Sequence, residues 1–444
     1  MIPGILLLTW FLSVSGGVLA HELDIERFQL DNGLTLLTLE EHDLPVVSLY
    51  VFYRAGSRNE RPGITGISHL FEHMMFNGSK KYPPHAFDRI LEENGGASNG
   101  YTTEDFTAYL EDFPKGALDL ILDMEADRMA NLSITPENLE QERGIVKEER
   151  RLRTDNSVVG KMYEELNAAA YKAHPYRWPV VGWMADLDAI TLADTEAYFR
   201  TYYAPNNAVL VIVGDFDTKA VREKVVEKFG SIPAQAPPPP VVNAEEPQRG
   251  EKRIFFHKKA QLPAFMVGYH LPAGKDPDFP ALELLGTILS HGESSRIYRK
   301  LIYETEIAVE ASIEVRAQKD PGLLVGYVQL KPGRSVEEGE KALDEVIEEV
   351  RRRGVTEREL AKAKNQMKAA FVRALKTNSG KADMIGFFEM VYDDYREIFK
   401  TMARYDAVTL ADIRRVAERW LTPLGRTVLV LVPEDPPPPP AGDR

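Results

Sequence analysis

The sequence predicts an α+β fold made of two homologous domains, and three features of the chain support this. Residues 28–37 place an Asn-Gly pair between two apolar runs, which is typical of a β-hairpin. Residues 46–53 are rich in β-branched and aromatic side chains, whereas residues 114–133 and 135–172 have the pattern of helices. A related pattern returns in the second half of the chain, which indicates an internal duplication.

The duplication shows as a helix start, a proline and an apolar strand in the same order. Thr-Leu-Ala-Asp begins at Thr191 and again at Thr409, 218 residues later. Pro205 follows the first Thr and Pro423 follows the second, in both cases after 14 residues. Two copies of this size can each bury a core, so the pattern predicts a duplicated domain and not a solenoid of short repeats.

Composition along the chain marks the expected domain boundaries. An N-terminal domain is predicted at residues 21–232 and a C-terminal domain at residues 251–433, with a Pro-rich linker at 233–250 between them. A disordered Pro-rich tail is expected at 434–444.

Residues 1–20 have the features of a secretory signal peptide, with an apolar core at residues 5–12 and small residues before a cleavage point at Ala20. We expect cleavage after Ala20 and export across the inner membrane, which places the mature protein in the periplasm. The segment before the apolar core lacks Lys and Arg, so an uncleaved N-terminal anchor is the alternative. No other stretch approaches about 18 apolar residues, so no membrane span is expected in the mature chain.

Charge and cysteine content exclude some classes of function. The net charge of −14 argues against nucleic acid as a partner and leaves basic peptides plausible as substrates. The chain has no cysteine, which excludes thiol catalysis, disulfides and zinc bound by cysteine.

A His-x-x-Glu-His pattern is the strongest functional feature of the sequence. On a helix His69 and His73 lie one turn apart on the same face, with Glu72 beside them. Two imidazoles at this spacing can bind one metal ion, and a carboxylate next to them can act on water at that metal. This order of residues is the inverted zincin motif of metal-dependent hydrolases. The alternative is a pair of buried histidines on an ordinary amphipathic helix.

An acidic, helix-forming stretch at residues 140–151 offers a third ligand, since catalytic zinc usually has three protein ligands. Glu142 and Glu149 are seven residues apart and share one face of that helix. The alternative is that the stretch is a solvated charged helix.

With these residues the chain resembles the pitrilysin or insulinase-type zinc metallopeptidases, and most closely their short processing-peptidase subunits. The family has a distal Glu about 76 residues after the second His, which selects Glu149 here, and a supporting Glu seven residues earlier, which matches Glu142. The resemblance implies that His69, His73 and Glu149 bind one zinc ion per chain. It also implies that Glu72 is the general base and that Glu142 orients a ligand or the water.

The resemblance also implies an architecture and a way of holding substrate. Each domain is expected to be a mainly antiparallel sheet with helices on one face, and the two domains are expected to form one half of a clamshell. Residues 93–110 contain the expected edge strand on which an extended peptide lies as an additional strand. Asn99, Gly100 and Tyr101 match the family positions that line the scissile bond, with Gly100 in place of the family's Ala.

The second copy lacks the metal motif and departs from self-sufficient members of the family. Where the first copy has the His-x-x-Glu-His helix, residues 280–290 form an apolar helix without ligands. Self-sufficient members have an Arg and a Tyr, seven residues apart, that hold the substrate, and this chain has Ile302 and Val309 there. We therefore expect a heterodimer with a homologous subunit that lacks the zinc motif and carries Arg and Tyr; a homodimer is the other possibility.

The resemblance thus predicts a zinc-dependent endopeptidase that hydrolyses extended peptides or unfolded polypeptides in a clamshell chamber. Two alternatives belong to other classes of protein: a catalytically silent structural subunit, and a module that binds peptides without cleaving them. The complete set of His69, Glu72, His73 and Glu149 favours the enzyme. The ligand types also accept manganese or cobalt.

Overall fold

Two β-sheets, one in each half of the chain, form the centre of the structure, a computed structural model that describes residues 23–84 and 86–434. The predicted signal peptide at residues 1–20 and the tail after residue 434 lie outside the described residues. The strands of the first sheet are β1 (Glu26–Gln29), β2 (Thr35–Glu40), β3 (Val46–Tyr53), β4 (Ala97–Thr102), β5 (Thr107–Pro114) and β6 (Ala208–Gly214). The strands of the second sheet are β7 (Lys252–Lys259), β8 (Ala264–His270), β9 (Ala308–Val315), β10 (Leu323–Leu330) and β11 (Arg426–Glu434).

The two sheets have the same topology. The first runs in the order β1-β2-β6-β3-β5-β4 and the second in the order β7-β11-β8-β10-β9. In each sheet one neighbouring pair is parallel, β2 with β6 and β7 with β11, and the other pairs are antiparallel. Apart from the additional strand β1, the second sheet repeats the first strand by strand. The predicted α+β fold with two related, mainly antiparallel sheets is therefore confirmed.

Fourteen α-helices are present in the described part of the chain. Those before the linker are α1 (Ile67–Met74), α2 (Ala86–Glu93), α3 (Leu118–Asn131), α4 (Pro136–Arg150), α5 (Val158–Ala170), α6 (Met184–Ala189), α7 (Leu192–Tyr202) and α8 (Thr218–Phe229). Those after it are α9 (Phe279–Ser290), α10 (Val336–Arg353), α11 (Glu357–Ala374), α12 (Asn378–Tyr392), α13 (Ile398–Ala407) and α14 (Leu410–Trp420). Among these residues, no helix combines the length and the apolar character that crossing a membrane requires.

The repeated Thr-Leu-Ala-Asp sequence marks the starts of α7 and α14. Thr191 caps α7 by accepting the Asp194 N–H, while the Asp194 carboxylate accepts the Thr191 N–H at 3.0 Å. Thr409 and Asp412 repeat the same reciprocal pair at α14, again at 3.0 Å. Each capping box satisfies backbone donors that the helix cannot satisfy itself, which explains why this short sequence recurs.

The prediction of a single helix at residues 135–172 is wrong, because the structure has two α-helices there, joined by a turn. Helix α4 ends at Arg150, a π-helical turn covers Arg151–Asp155, and α5 begins after Ser157, whose hydroxyl accepts the Gly160 N–H at 3.0 Å. A Ser side chain at the N-cap accepts a backbone N–H of the first helical turn, so the start of α5 after Ser157 has a local cause. The turn changes the direction of the chain and carries α5 towards the second sheet.

Each sheet is covered on one face by helices of its own half and on the other by a helix from the opposite half. Helix α5 packs on the second sheet, where Met162 and Leu166 are fully buried against Met266 and Leu429. Helix α12 packs on the first sheet, where Ile385 is fully buried. The sequence predicted helices on one face, and the structure adds the exchanged helix on the other. The two hydrophobic cores beneath α5 and α12 therefore contain residues from both halves.

The linker at residues 233–250 is held against the first half at two places. Near its start, Gln235 exchanges two hydrogen bonds with the Asn206 side chain, at 2.9 and 3.0 Å. The Glu245 carboxylate accepts the backbone N–H groups of Lys172, Ala173 and His174 at 2.7–3.1 Å. These residues follow α5 directly, so the linker is attached where the chain returns from the exchanged helix.

Because Ile385 completes the core over the first sheet, Ile385→Ala should destabilise the whole chain. We expect the free energy of unfolding to fall by about 2–5 kcal/mol, the cost of truncating a buried aliphatic side chain. Urea unfolding followed by circular dichroism measures it. The matched control is Ile145→Ala, because Ile145 is 45% exposed on α4; its effect should stay within about 0.5 kcal/mol. Equal effects of the two substitutions would contradict the shared core.

Candidate metal centre

Helix α1 presents the His-x-x-Glu-His motif because its other face is buried. Ile67, Leu70, Phe71 and Met74 are fully buried in the core of the first half. Those positions fix the rotation of the helix, so the face that carries the motif is turned towards α4.

The start of α1 is held by a buried carboxylate. Glu60 accepts the N–H of Gly66 at 2.7 Å and the N–H of Ser68 at 2.8 Å. The Ser68 hydroxyl in turn makes a 2.7 Å hydrogen bond with the hydroxyl of Tyr198. Gly66 has a φ of 88°, and a Cβ there would lie 2.5 Å from the Val181 carbonyl oxygen, so only glycine fits. The position of the motif therefore depends on Glu60 and Gly66.

Helix α4 turns one face towards α1. Leu139, Glu142 and Val146 on this face are buried, and Glu149 follows three residues after Val146. Thr135 caps the helix by accepting the Asn138 N–H at 3.2 Å. Both candidate glutamates thus lie on the face of α4 that packs on α1.

Three of the predicted site residues come together between α1 and α4. The Glu149 Oε2 atom lies 3.5 Å from His69 Nε2 and 3.3 Å from His73 Nε2. One ligand atom from each residue lies within 4.8 Å of the others. In the described ranges 23–84 and 86–434, this is the one group of three or more His, Cys, Asp or Glu side chains with such geometry. These distances allow one metal ion to contact all three side chains.

Neighbouring side chains orient the group. Glu142 Oε2 lies 3.4 Å from His73 Nδ1, and Asn77 donates a 2.7 Å hydrogen bond to the other oxygen of Glu142. Arg153, from the π-helical turn after α4, lies 2.7 Å from Glu149 Oε1. The Arg153 contact leaves Oε2 of Glu149 facing the two imidazoles.

Burial acts to lower the pKa of both imidazoles, and nearby carboxylates reverse the result at His73. Burial, and then the charge of His73, lower the pKa of His69 to about 4. For His73 burial also acts to lower the pKa, but the contact with Glu142 and the nearby carboxylates outweigh it, so its pKa is raised. His69 is therefore neutral near pH 7 and has a nitrogen lone pair available for a metal.

Glu72 lies between α1 and the edge strand β4. Its Oε2 atom accepts a 2.6 Å hydrogen bond from the Thr102 hydroxyl. Burial raises the pKa of the Glu72 carboxyl above its ordinary value. Gly100 faces the same side chain, since a Cβ at that position would lie 3.2 Å from Glu72 Cγ. One carboxylate oxygen of Glu72, Oε2, is thus held by Thr102 of β4, and Oε1 takes no part in this hydrogen bond.

The three residues predicted to line the scissile bond do not share one face of β4. Gly100 faces Glu72, whereas Tyr101 points to the opposite face, where its hydroxyl donates a 2.5 Å hydrogen bond to Asp383 of α12. The Asn99 side chain accepts the N–H of Gly100 at 2.9 Å. Strand β4 ends the first sheet, with β5 as its one neighbour. Its outer edge is therefore the part of the strand that can pair with an extended peptide.

Several supporting residues were missed in the sequence. Thr102 lies two residues after Gly100 on the same strand, and Asn77 lies four residues after His73. This spacing places each of them on the same face as the site residue before it, so both could have been predicted. Glu60 and Arg153 had none, because Glu60 reaches α1 from a loop and Arg153 depends on the turn after α4.

The second half has an apolar helix in the position of α1. Helix α9 follows β8 as α1 follows β3, and its Leu282 and Leu285 are fully buried. Ile302 lies in a second π-helical turn, Tyr298–Glu304, and packs partly against the second core. Val309 is 44% exposed on β9, the edge strand equivalent to β4. Neither side chain can donate a hydrogen bond.

Comparison with known proteins shows the family of the chain. The family model described as Insulinase (Peptidase family M16) matches residues 36–182, and the one described as Peptidase M16 inactive domain matches residues 189–367. The zinc protease PqqE of Helicobacter pylori is 31% identical over 413 residues, which is 92% of this chain and 93% of that protein. The chain belongs to the M16 peptidase family. The resemblance to insulinase-type metallopeptidases is thereby confirmed.

Solved structures of M16 proteins have the same fold. A crystal structure of a protease from Helicobacter pylori superposes with a TM-score of 0.89 at 30% identity, covering 92% of this chain and 99% of that chain. A putative M16-like peptidase from Alicyclobacillus acidocaldarius gives a TM-score of 0.82 at 22% identity, covering 94% of this chain and 100% of that chain.

Since Glu60 holds the first turn of α1, Glu60→Ala should destabilise the protein by about 1–3 kcal/mol through the loss of acceptors for two buried N–H groups. Chemical denaturation in urea gives this free energy. Glu93→Ala is the matched control, because the Glu93 side chain is 59% exposed and pairs with Arg89 on the same helix. The control should cost less than about 0.5 kcal/mol. A Glu60→Ala protein as stable as this control would show that Glu60 does not hold α1.

Proposed function

We propose that this protein is a zinc-dependent endopeptidase that hydrolyses extended peptides or unfolded polypeptides. The observation that carries the proposal is the group of His69, His73 and Glu149, with ligand atoms within 4.8 Å of one another. Glu72 lies beside this group and contacts the edge strand β4. A peptide that pairs with β4 would pass next to Glu72.

The chemistry of these three side chains fits zinc. Two imidazole nitrogens and one carboxylate oxygen are a ligand set of catalytic zinc sites, which leave a further position for water or substrate. The low pKa of His69 keeps that imidazole in the neutral form that binds metals. His69, His73 and Glu149 would hold a zinc ion, and the ion would supply Lewis-acid chemistry that lowers the pKa of water and polarises a carbonyl oxygen. Relatives named as zinc proteases support the same choice of metal.

Glu72 moves the proton in the proposed reaction. Its Oε2 is occupied by the Thr102 hydroxyl, so Oε1 accepts the proton of the attacking water. The raised pKa of Glu72 makes it a stronger base than an exposed glutamate and lets the protonated form return the proton to the leaving amine. Glu142 keeps the His73 ring in place during these steps.

The edge of β4 binds the substrate main chain in this proposal. Gly100 leaves room beside Glu72, while Asn99 holds the local backbone through the Gly100 N–H. Tyr101 contributes by fixing β4 to α12 through Asp383. Affinity would come from main-chain hydrogen bonds, so sequences that can become extended would be preferred.

Two Glu→Gln variants separate metal binding from proton transfer. Glu149→Gln should weaken zinc binding by roughly tenfold or more and abolish cleavage, because a neutral amide is a poor zinc ligand. Glu72→Gln should bind zinc as the wild type does and lose at least about 100-fold in kcat, because it cannot accept a proton. Zinc is measured by competition with a chromogenic chelator, and cleavage with an unstructured, fluorescently quenched peptide.

Glu148→Gln is the matched control, since Glu148 is next to Glu149 on α4 but its side chain is 72% exposed. It should keep zinc affinity and turnover. A Glu72→Gln variant that retains turnover would remove Glu72 as the base. A Glu149→Gln variant with unchanged zinc affinity would remove Glu149 as a ligand.

We further propose that the active form is a heterodimer with a homologous subunit that lacks the zinc motif. Ile302 and Val309 support this, because they occupy the positions at which self-sufficient family members carry Arg and Tyr. The partner would supply the missing donors to the substrate carbonyl. A homodimer would repeat Ile302 and Val309 and so would not supply them.

Export to the periplasm is proposed for the mature chain on the basis of residues 1–20.

The purified single chain should therefore cleave an unstructured peptide slowly, and a homologous Arg- and Tyr-bearing subunit should raise kcat/KM by roughly 100-fold or more, the scale of an oxyanion donor. Size-exclusion chromatography with light scattering identifies the species that is active. A partner subunit with its Arg replaced by Ala is the control and should form the complex without the gain. Full activity of the isolated chain would overturn the heterodimer.

The alternative is a catalytically silent protein that binds peptides. The same two positions, Ile302 and Val309, favour it, whereas the group around His69 and Glu72 favours the enzyme. Recovery of an intact peptide from the zinc-loaded complex, with its partner present, would favour the silent protein.

A further inference from the structure

A cavity of about 660 Å³ lies in the second half of the chain, between helices α9, α11, α12 and α13. This volume is typical of sites that hold small organic molecules. None of the residues that line it belongs to the candidate metal centre. On α12, Ile385 packs on the first sheet, whereas Met384 and Phe388 line the cavity. The cavity therefore lies against a different face of α12 from the one that packs on the first sheet.

The wall of the cavity is rich in aromatic rings. Phe387, Phe388 and Tyr392 from α12 form a cluster, with ring centroids 5.7 Å apart for Phe387 and Phe388 and 5.0 Å apart for Phe388 and Tyr392. Phe371 of α11 and Tyr405 of α13 add two further rings. Aromatic faces carry partial negative charge and attract cations, quaternary ammonium groups above all.

Three carboxylates line the cavity, those of Asp276, Glu283 and Asp412. Asp412 pairs with Arg415, and Asp276 accepts the Asp278 N–H at 2.8 Å. Glu283 of α9 accepts a 2.8 Å hydrogen bond from the Tyr405 hydroxyl at Oε2. Among the described residues, no basic side chain lies within ion-pair distance of Glu283. Burial raises the pKa of the Glu283 carboxyl to about 7, so a substantial fraction is ionised at neutral pH. Glu283 is half-buried. A carboxylate removed from part of its water without a cationic partner is destabilised, and a bound cation would stabilise it.

The basic side chains of the cavity wall are engaged elsewhere and do not neutralise Glu283. Each pairs with another carboxylate: Lys275 with Asp393, Arg404 with Glu397, and Arg415 with Asp278 and Asp412.

We propose that this cavity binds an organic ammonium ion with an apolar tail, with the cation against Glu283 and the aromatic rings. The ring faces and the carboxylate both attract a positive head group, and the apolar wall takes the tail. An anionic head group would be repelled by Glu283, and a neutral one would leave the carboxylate without an opposite charge.

Three compounds with the same eight-carbon tail test the preference for charge on the zinc-loaded wild-type protein. Octyltrimethylammonium is the cation, and it cannot coordinate zinc; 1-octanol is the neutral compound and 1-octanesulfonate the anion. Isothermal titration calorimetry at about pH 8 should show one saturable site for the cation, with affinity at least about tenfold higher than for the other two. Equal affinities, tighter binding of the sulfonate, or no saturable binding of the cation would overturn the proposal.

Two variants assign the binding to this cavity. Glu283→Gln should weaken octyltrimethylammonium binding at least about tenfold while leaving octanol binding unchanged, because volume is kept and charge is lost. Phe388→Leu should weaken cation binding severalfold by removing one ring. Glu349→Gln is the matched control, since Glu349 is 54% exposed on α10 and outside the cavity. Circular dichroism and thermal melting establish that each variant is folded. Cation binding that is unchanged in a folded Glu283→Gln or Phe388→Leu protein would overturn the proposal.

Discussion

The exchange of α5 and α12 between the two halves joins the two sheets into one folded unit. Each sheet has apolar side chains on both faces, and the helices of its own half cover one face. The other face is covered by the helix received from the opposite half. Neither sheet is fully covered without the other half, so the burial of apolar surface couples the two halves.

The candidate metal centre lies next to the turn that leads from α4 into the exchanged helix α5. Glu149 precedes Arg150, the last residue of α4, and Arg150 is buried against Glu164 of α5 at 2.7 Å. Breaking such a buried pair is costly, so the end of α4 and the start of the crossover are held together. Arg153 in the turn between them contacts Glu149. The other exchanged helix reaches the centre through Asp383, which holds Tyr101 of β4.

The two copies of the domain carry different side chains on equivalent helices. Helices α1 and α9 occupy equivalent positions after equivalent strands, and both are anchored by buried aliphatic residues. In the first copy the remaining face carries His69, Glu72 and His73. In the second copy α9 carries Glu283 towards a cavity lined by aromatic rings. The fold fixes where each helix lies, and the side chains on its free face decide what it can bind.

Features whose cause is local could be predicted from the sequence. Helical spacing placed His69 and His73 on one face, capping boxes at Thr191 and Thr409 revealed the duplication, and the resemblance to a family selected Glu149. Other features depend on contacts between distant parts of the chain and became visible only in the folded structure. They are the exchange of α5 and α12, the orientation of Tyr101 away from Glu72, the hydrogen bonds of Glu60 to the start of α1 and the cavity at Glu283. Propensity and periodicity act over a few residues, whereas these contacts require two surfaces to bury each other, and no short stretch of sequence encodes that choice.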